Sequence, residues 1–154
     1  GHPSAGCEKT MEILSNLRCD NKTMEDVYLL IKYHDVDIEE NSKTVKRMLS
    51  KIGERIFFML MDLKIADNLA QNPEFRRTDK FERLKDIARE IISESQCFSL
   101  KDMMINGKDI ISLGYRPSKK IGECLEYLLE IVINEEIPNE KEKLLAEAKK
   151  FMER

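Results

Sequence analysis

The chain has 154 residues, 42% of them hydrophobic and 36% charged, with 6 Gly, 4 Pro and no Trp. That length gives one domain, or one with a small companion, and buries roughly 70% of the unfolded surface without needing a disulfide or metal. The composition excludes collagen-like, low-complexity and disordered classes, and 26 Lys+Arg against 29 Asp+Glu (net −3) exclude a uniformly basic nucleic-acid binder, though not a locally basic one.

Apolar residues recur at helical spacing almost everywhere and no segment sustains strand alternation, which predicts an all-α fold with no sheet. The first helix runs from about Ser4 to Arg18, with Cys7, Met11, Leu14 and Leu17 on one face. A second follows Asn21 and carries Val27, Leu30, Ile31 and His34 on its apolar stripe. Ser42 can cap a third, basic helix that Gly53 stops after Ile52. The fourth, Glu54 to Gln71, is apolar nearly all round through Ile56-Phe57-Phe58-Met59-Leu60-Met61, as helices in the middle of a bundle are, and Asn72-Pro73 ends it. The fifth, from about Thr78 to Glu94, sets Phe81, Leu84, Ala88 and Ile91 on one side.

The texture then changes. Between Phe98 and Pro117 come two short helical turns, each with a capping residue, Ser99 and Asn106, and Gly114 closes the second. Ser118 caps a long helix with Ile121, Leu125, Leu128, Leu129 and Val132 inward and Glu123, Glu126 and Glu130 outward. Pro138-Asn139 separates it from a last amphipathic helix with Leu144, Leu145, Ala148 and Phe151. A soft boundary near Ser95-Gln96 divides a multi-helix bundle, 1–96, from a smaller helical tail, 97–154. No period of 20 to 50 residues emerges, so a solenoid is not expected.

Cys7, Cys19, Cys97 and Cys124 show no C-x-x-C pair or metal-ligand spacing, and read as buried reduced thiols. No signal-peptide hydrophobic region opens the chain, and the longest apolar run, Ile56 to Met61, is too short to span a bilayer. A soluble cytoplasmic protein is expected. The start at Gly1, without an initiator methionine, reads as a processed chain or a fragment of something larger.

Catalytic signatures are sparse. There is no G-x-S-x-G, P-loop or G-x-G-x-x-G, and without strands nothing can host the paired carboxylates of a two-metal nucleotidyl site. His34-Asp35 spells a metal-binding HD doublet, for which His2 and Asp67 could add an imidazole and a carboxylate. Three candidate ligands are too few for that site, and a histidine on an apolar helical face is more often a satisfied core residue.

Charge is more informative when read by segment. Residues 1–42 hold 4 basic against 9 acidic residues, net −5, and residues 121–154 hold 5 against 9, net −4. Between them lie three basic islands: +4 over 43–55 (Lys43, Lys46, Arg47, Lys51, Arg55), +3 over 76–89 (Arg76, Arg77, Lys80, Arg83, Lys85, Arg89) and +3 over 101–120 (Lys101, Lys108, Arg116, Lys119, Lys120). One island alone is usually a solvated helix face; three together point to a polyanion-binding groove if the fold brings them to one side. The third runs from the Gly114 helix stop into a helix N-terminus whose unpaired N–H groups carry partial positive charge. Lys119 and Lys120 in that first turn cost the helix a few tenths of a kcal/mol each, roughly, which is consistent with an anion site for a phosphate. Gly122 is expected to allow a backbone or ligand to approach closely.

The same stretch carries a spaced signature: Phe98-Ser99-Leu100-Lys101-Asp102, Asn106-Gly107-Lys108-Asp109-Ile110, Leu113-Gly114, Pro117, Ile121-Gly122 and Leu125, then Ile137-Pro138-Asn139-Glu140-Lys141-Glu142 before a Leu-rich helix. Over residues 97–152 it resembles the C-terminal portion of bacterial tRNA nucleotidyltransferases, the CCA-adding enzymes and their poly(A) polymerase relatives. It departs from them in carrying Ser118 where Gly often follows the proline. Residues 1–96 resemble the latter part of the HD-type module inside some of these enzymes, with Gly1-His2, His34 and the segment Leu63 to Pro73 as its landmarks; its defining doublet would lie upstream, so His34-Asp35 is not that doublet.

The resemblance implies that the polymerase head, with its Mg-binding carboxylates, is the N-terminal part of a longer parent protein and lies outside this chain. This chain would hold tRNA without a cofactor of its own, by shape and phosphate contact. Lys101, Lys108, Arg116, Lys119 and Lys120 are the expected contacts, with Arg76, Arg77, Lys43, Lys46 and Arg47 as additions. Two readings compete: a metal-dependent phosphohydrolase using His2, His34 and Asp67, and a structural module that pairs as a homodimer, its basic islands mere solvated faces.

Overall fold

The computed structural model describes residues 3–70 and 77–153, with side chains from Gly6 onward. Among the described residues there are seven α-helices and no strand: α1 (Pro3–Asn16), α2 (Asn21–Tyr33), α3 (Ser42–Ala70), α4 (Thr78–Ser93), α5 (Gly107–Ser112), α6 (Lys119–Ile133) and α7 (Lys141–Met152). The expected all-α class is what forms. The chain divides into two compact units, Gly1–Asn41 with Lys51–Ile87, and Ser42–Ser50 with Ala88–Arg154. The second unit thus includes the start of α3 and residues on both sides of Ser95-Gln96.

In the first unit α1 packs against α2. Asp20, just outside α2, accepts a hydrogen bond from the Thr23 backbone N–H at 2.9 Å, so a carboxylate caps the end where the helix dipole is positive. Only part of the expected apolar faces is covered. Cys7 is buried, but Leu17 is 68% exposed because α1 ends at Asn16 and Arg18 takes φ 55°. No residue of α2 is fully buried; Val27, Leu30 and Ile31 are half-buried. His34, expected on the stripe, sits one residue past the helix as its C-cap, with an exposed ring.

α3 is two helical segments joined through Gly53, whose φ 74°, ψ 161° is a region essentially restricted to glycine. The expected stop at Gly53 is therefore a break after which the helix resumes at once. Past it, Ile56, Phe57, Leu60 and Met61 are buried, while Met59 reaches solvent. Each fully buried aliphatic or aromatic side chain contributes about 1.5–3 kcal/mol relative to exposure, so this turn-and-a-half is a main source of the unit's stability.

The second unit has its own core of Ile105, Ile110, Ile121, Cys124, Leu128 and Leu144 with their neighbours. α6 and α7 pack together, and Tyr127 stacks on Phe151 with ring centroids 5.1 Å apart. Glu123, Glu126 and Glu130 point outward as the pattern requires. Cys7, Cys97 and Cys124 are buried free thiols and Cys19 is half-buried; burial pushes the Cys97 thiol up to about 11. None of the described helices is long and apolar enough to cross a membrane.

Two glycine substitutions should move stability in opposite directions. Gly53→Ala forces an L side chain into the break in α3 and should cost about 1–3 kcal/mol. Gly122 lies inside α6, where an added Cβ meets nothing within 4 Å, so Gly122→Ala should stabilise by about 0.5–1 kcal/mol. Urea midpoints of both variants beside the parent chain check the pair of signs.

Candidate nucleic-acid interface

A cation already paired with a carboxylate gains less from a phosphate than an unpaired one, so the three basic islands are distinguished by their partners. In the first, Lys43 and Lys46 both reach Glu135, each at 3.7 Å, and Arg47 donates to the Asn134 side chain at 2.6 Å. Lys46 is buried. These groups hold the loop after α6, where Glu135 takes φ 61°, and Lys46 is not placed to meet a phosphate. Arg55 is paired with Asp26 at 2.5 Å.

The second island is paired too. Lys80 meets Asp37 at 2.5 Å, Arg83 holds Glu40, and the buried Lys85 lies 2.6 Å from Asp62 and 3.3 Å from Glu82. The Lys80 ammonium holds the Asp37 carboxyl below the usual carboxylate range, as the Arg83 guanidinium does for Glu40. The Arg77 backbone N–H donates to Asn68 at 2.5 Å, and Arg76 lies outside the described residues.

The third island differs. Lys101, Lys108 and Arg116 are exposed, and their side chains make no ion pair among the described residues. Lys119 is 93% exposed, with only a 3.5 Å contact to Glu123 one turn on. Lys120 is half-buried and donates to the Met152 carbonyl at 3.0 Å, so it satisfies an end carbonyl of α7. Ser118 occupies the N-cap of α6 as expected, but its side chain makes no capping bond, which leaves the helix's first N–H groups to solvent. Gly114 adopts φ 98°, the glycine conformation expected there, whereas a Cβ on Gly122 would face open space, so no close approach requires that glycine.

The loops that carry these cations are held by polar side chains, of which only the Asn106 cap was expected from sequence. The expected helical turn after Phe98 is a bend organised by Asp102, whose carboxylate accepts from the Ser99 N–H at 2.9 Å and the Ser99 hydroxyl at 2.7 Å. Asn106 caps α5 by accepting from the Lys108 N–H at 2.8 Å, and Asp109 completes the capping box by accepting from the Asn106 N–H at 2.9 Å. Asp109 also receives Lys141 from the start of α7 at 2.7 Å. Asn139 accepts from the Met104 N–H at 2.9 Å and donates to the Asp102 carbonyl at 2.8 Å. Asn106 four residues before a short apolar run was legible as a cap; Asn139 and Lys141 act across more than 30 residues of chain and carry no local signal.

His34 and Asp67 do share a shallow cleft, together with Leu63 and Lys64. They do not fit a divalent cation. The His34 ring already faces the Ile31 carbonyl through Nδ1 at 2.5 Å and the Asp35 carboxylate through Nε2 at 3.1 Å. Lys64 lines the same cleft, donating to the carbonyls of His34 and, at 2.9 Å, Val36, and burial lowers its pKa. Among the described residues no three His, Cys, Asp or Glu side chains converge as a metal site; His2 lies outside them.

The family described as tRNA nucleotidyltransferase domain 2 matches residues 4–148. The chain belongs to that family. A curated relative, the A-adding tRNA nucleotidyltransferase of Deinococcus radiodurans, is 24% identical over 132 residues, which cover 84% of this chain and 30% of that protein. The chain thus spans less than a third of that relative's length. No solved structure matches it. The signature residues from Phe98 to Glu142 that resemble the nucleotidyltransferases fall within the matched stretch, and they are the residues that build the loops just described.

The Lys141–Asp109 pair makes a pH-dependent contribution. The Lys141 hydrogen bond, with that of the Asn106 N–H, holds the Asp109 carboxyl below its ordinary value. A carboxyl depressed in the folded state stabilises above its unfolded pKa and loses that contribution as pH falls through the folded one. Lys141→Met should therefore unfold more readily than the parent chain at pH 7, with the difference closing as pH drops below the carboxylate range; thermal unfolding from pH 7 to pH 3 reads this directly.

Proposed function

We propose that this chain is the tRNA-holding portion of a cytoplasmic tRNA nucleotidyltransferase. It grips the phosphate backbone through Lys101, Lys108, Arg116 and Lys119, with Lys120 and the open N-terminus of α6 beside them. The observation that carries this reading is the distribution of partners: Lys101, Lys108 and Arg116 make no ion pair among the described residues and Lys119 only a 3.5 Å contact within its own helix, while Lys43, Lys46, Arg55, Lys80, Arg83 and Lys85 of the other two islands each meet a carboxylate. Family membership names the polyanion that such a surface would serve.

The chain plays no chemical part in nucleotide addition. Transfer of a nucleotide needs carboxylates that hold Mg ions at the attacking and leaving oxygens, and that chemistry is assigned to a separate N-terminal head. Whether that head adds A alone, as the name of the Deinococcus relative says of that protein, or the rest of CCA, is decided there. The contribution here is to hold the acceptor RNA in place, which converts a bimolecular encounter into a positioned one.

Recognition through phosphates has a defined salt signature. Each phosphate neutralised contributes roughly 0.7–0.9 to the slope of log affinity against log salt. Lys101→Ala/Lys108→Ala/Arg116→Ala should weaken binding of a tRNA transcript and flatten that slope by about 2–3, with the loss similar across tRNAs of different sequence. Filter binding between 50 and 300 mM KCl measures both. An unchanged affinity and slope in the triple variant would remove this surface from tRNA binding.

A further inference from the structure

The Pro138-Asn139-Glu140-Lys141 stretch belongs to the signature, yet none of its side chains is among the proposed phosphate contacts. Its geometry gives it another task. Asn139 uses both ends of its amide on the bend that carries Lys101: Oδ1 accepts from the Met104 N–H at 2.9 Å and Nδ2 donates to the Asp102 carbonyl at 2.8 Å. Two residues on, Lys141 Nζ lies 2.7 Å from Oδ1 of Asp109, the residue whose other oxygen closes the capping box beneath Lys108.

We infer that Asn139 and Lys141 are positioning residues for the tRNA surface: the start of α7 is a latch that fixes the Lys101 bend and the Lys108 turn in register with each other. This rests on the tRNA-holding reading above. Asp102 closes the bend from within, on the Ser99 N–H and hydroxyl, and Asn139 ties its far side to the start of α7. Met103 and Ile105 are buried on either side of Met104, which is 58% exposed, so the core grips alternate residues and leaves the Met104 N–H and Asp102 carbonyl to be satisfied by Asn139. Without the latch the backbone beneath each lysine would have to be ordered when RNA binds; with it that backbone part of the cost is met on folding, and only the exposed lysine side chains are ordered on binding. Asn suits the task because its carboxamide offers an acceptor and a donor at once; an aspartate would keep the bond to Met104 but set an oxygen against the Asp102 carbonyl.

The test is a double-mutant cycle on the whole chain with a tRNA transcript. Asn139→Ala should weaken binding about two- to tenfold, the range spanned by one net hydrogen bond, and flatten the salt slope by roughly 0.7–0.9, one phosphate contact. In a Lys101→Ala/Lys108→Ala background it should have almost no further effect, because the groups it positions are gone. Asn139→Asp should resemble Asn139→Ala in binding, and circular dichroism of both variants identifies any that fail to fold. Equal weakening by Asn139→Ala in both backgrounds would make its role general folding support and overturn the inference, as would an unchanged affinity in Asn139→Ala. If Lys101→Ala/Lys108→Ala alone leaves binding intact, the tRNA-holding reading itself falls and takes the latch with it.

Discussion

An ammonium group that already touches a carboxylate has part of its charge compensated, so it gains less from a phosphate than an unpaired one does. That difference separates this chain's lysines and arginines into those tied to the fold and those left to solvent. Glu135 takes Lys43 and Lys46, Asp37 takes Lys80, Glu40 takes Arg83, and Asp62 with Glu82 takes Lys85. Exposed pairs of this kind contribute only about 0.2–1 kcal/mol each, but they fix the geometry of loops that have few apolar side chains. Lys46 and Lys85 are buried, and a buried cation left without its carboxylate is far more damaging than a broken surface pair. Two of the three islands are thus largely consumed by the architecture. Within the third island Lys101, Lys108 and Arg116 make no ion pair among the described residues.

That interval is unusual in how it is held. Long helices elsewhere are ordered by apolar stripes, but from Cys97 to Pro117 the chain forms only one six-residue helix. Apolar anchors at Met103, Ile105 and Ile110 pin it to the core, and between them the backbone is closed by Asp102, Asn106, Asp109 and Asn139. Polar closure of this kind needs specific partners at specific distances, whereas an apolar stripe tolerates exchange of one aliphatic residue for another. The loop therefore owes its order to particular side chains. It also presents its cations from a backbone that is already ordered.

The helices were legible because their signal is local: a 3.6-residue period, a cap and a stop all lie within one segment. Gly53 was read correctly as a stop, although the helix resumes beyond it, because sequence marks where a helix cannot continue but not whether the next begins at once. His34 was misplaced by one turn-end residue, since its spacing matches the stripe of α2 while the helix closes at Tyr33 and turns the ring to solvent. Charge was the harder matter. A count of Lys and Arg along the chain weighs Lys46 and Lys101 equally, and only the fold shows that Lys46 meets Glu135 while Lys101 meets no carboxylate among the described residues. Pairs such as Lys80 with Asp37, Arg47 with Asn134 and Asn139 with Met104 join residues far apart in sequence, and no local pattern announces them.

A net charge of −3 is no obstacle to an RNA-holding surface once the range of electrostatics is taken into account. At physiological ionic strength the Debye length is about 8 Å, so a phosphate responds to the few charges near it and hardly to the chain's total. The acidic residues of 1–42 and 121–154 supply the internal partners for several basic side chains. An overall positive field would raise affinity for any RNA. On the proposed reading, a negative chain that leaves Lys101, Lys108 and Arg116 without carboxylates meets a partner through the phosphates that reach those three, and the side chains that order their loops matter as much as the charges themselves.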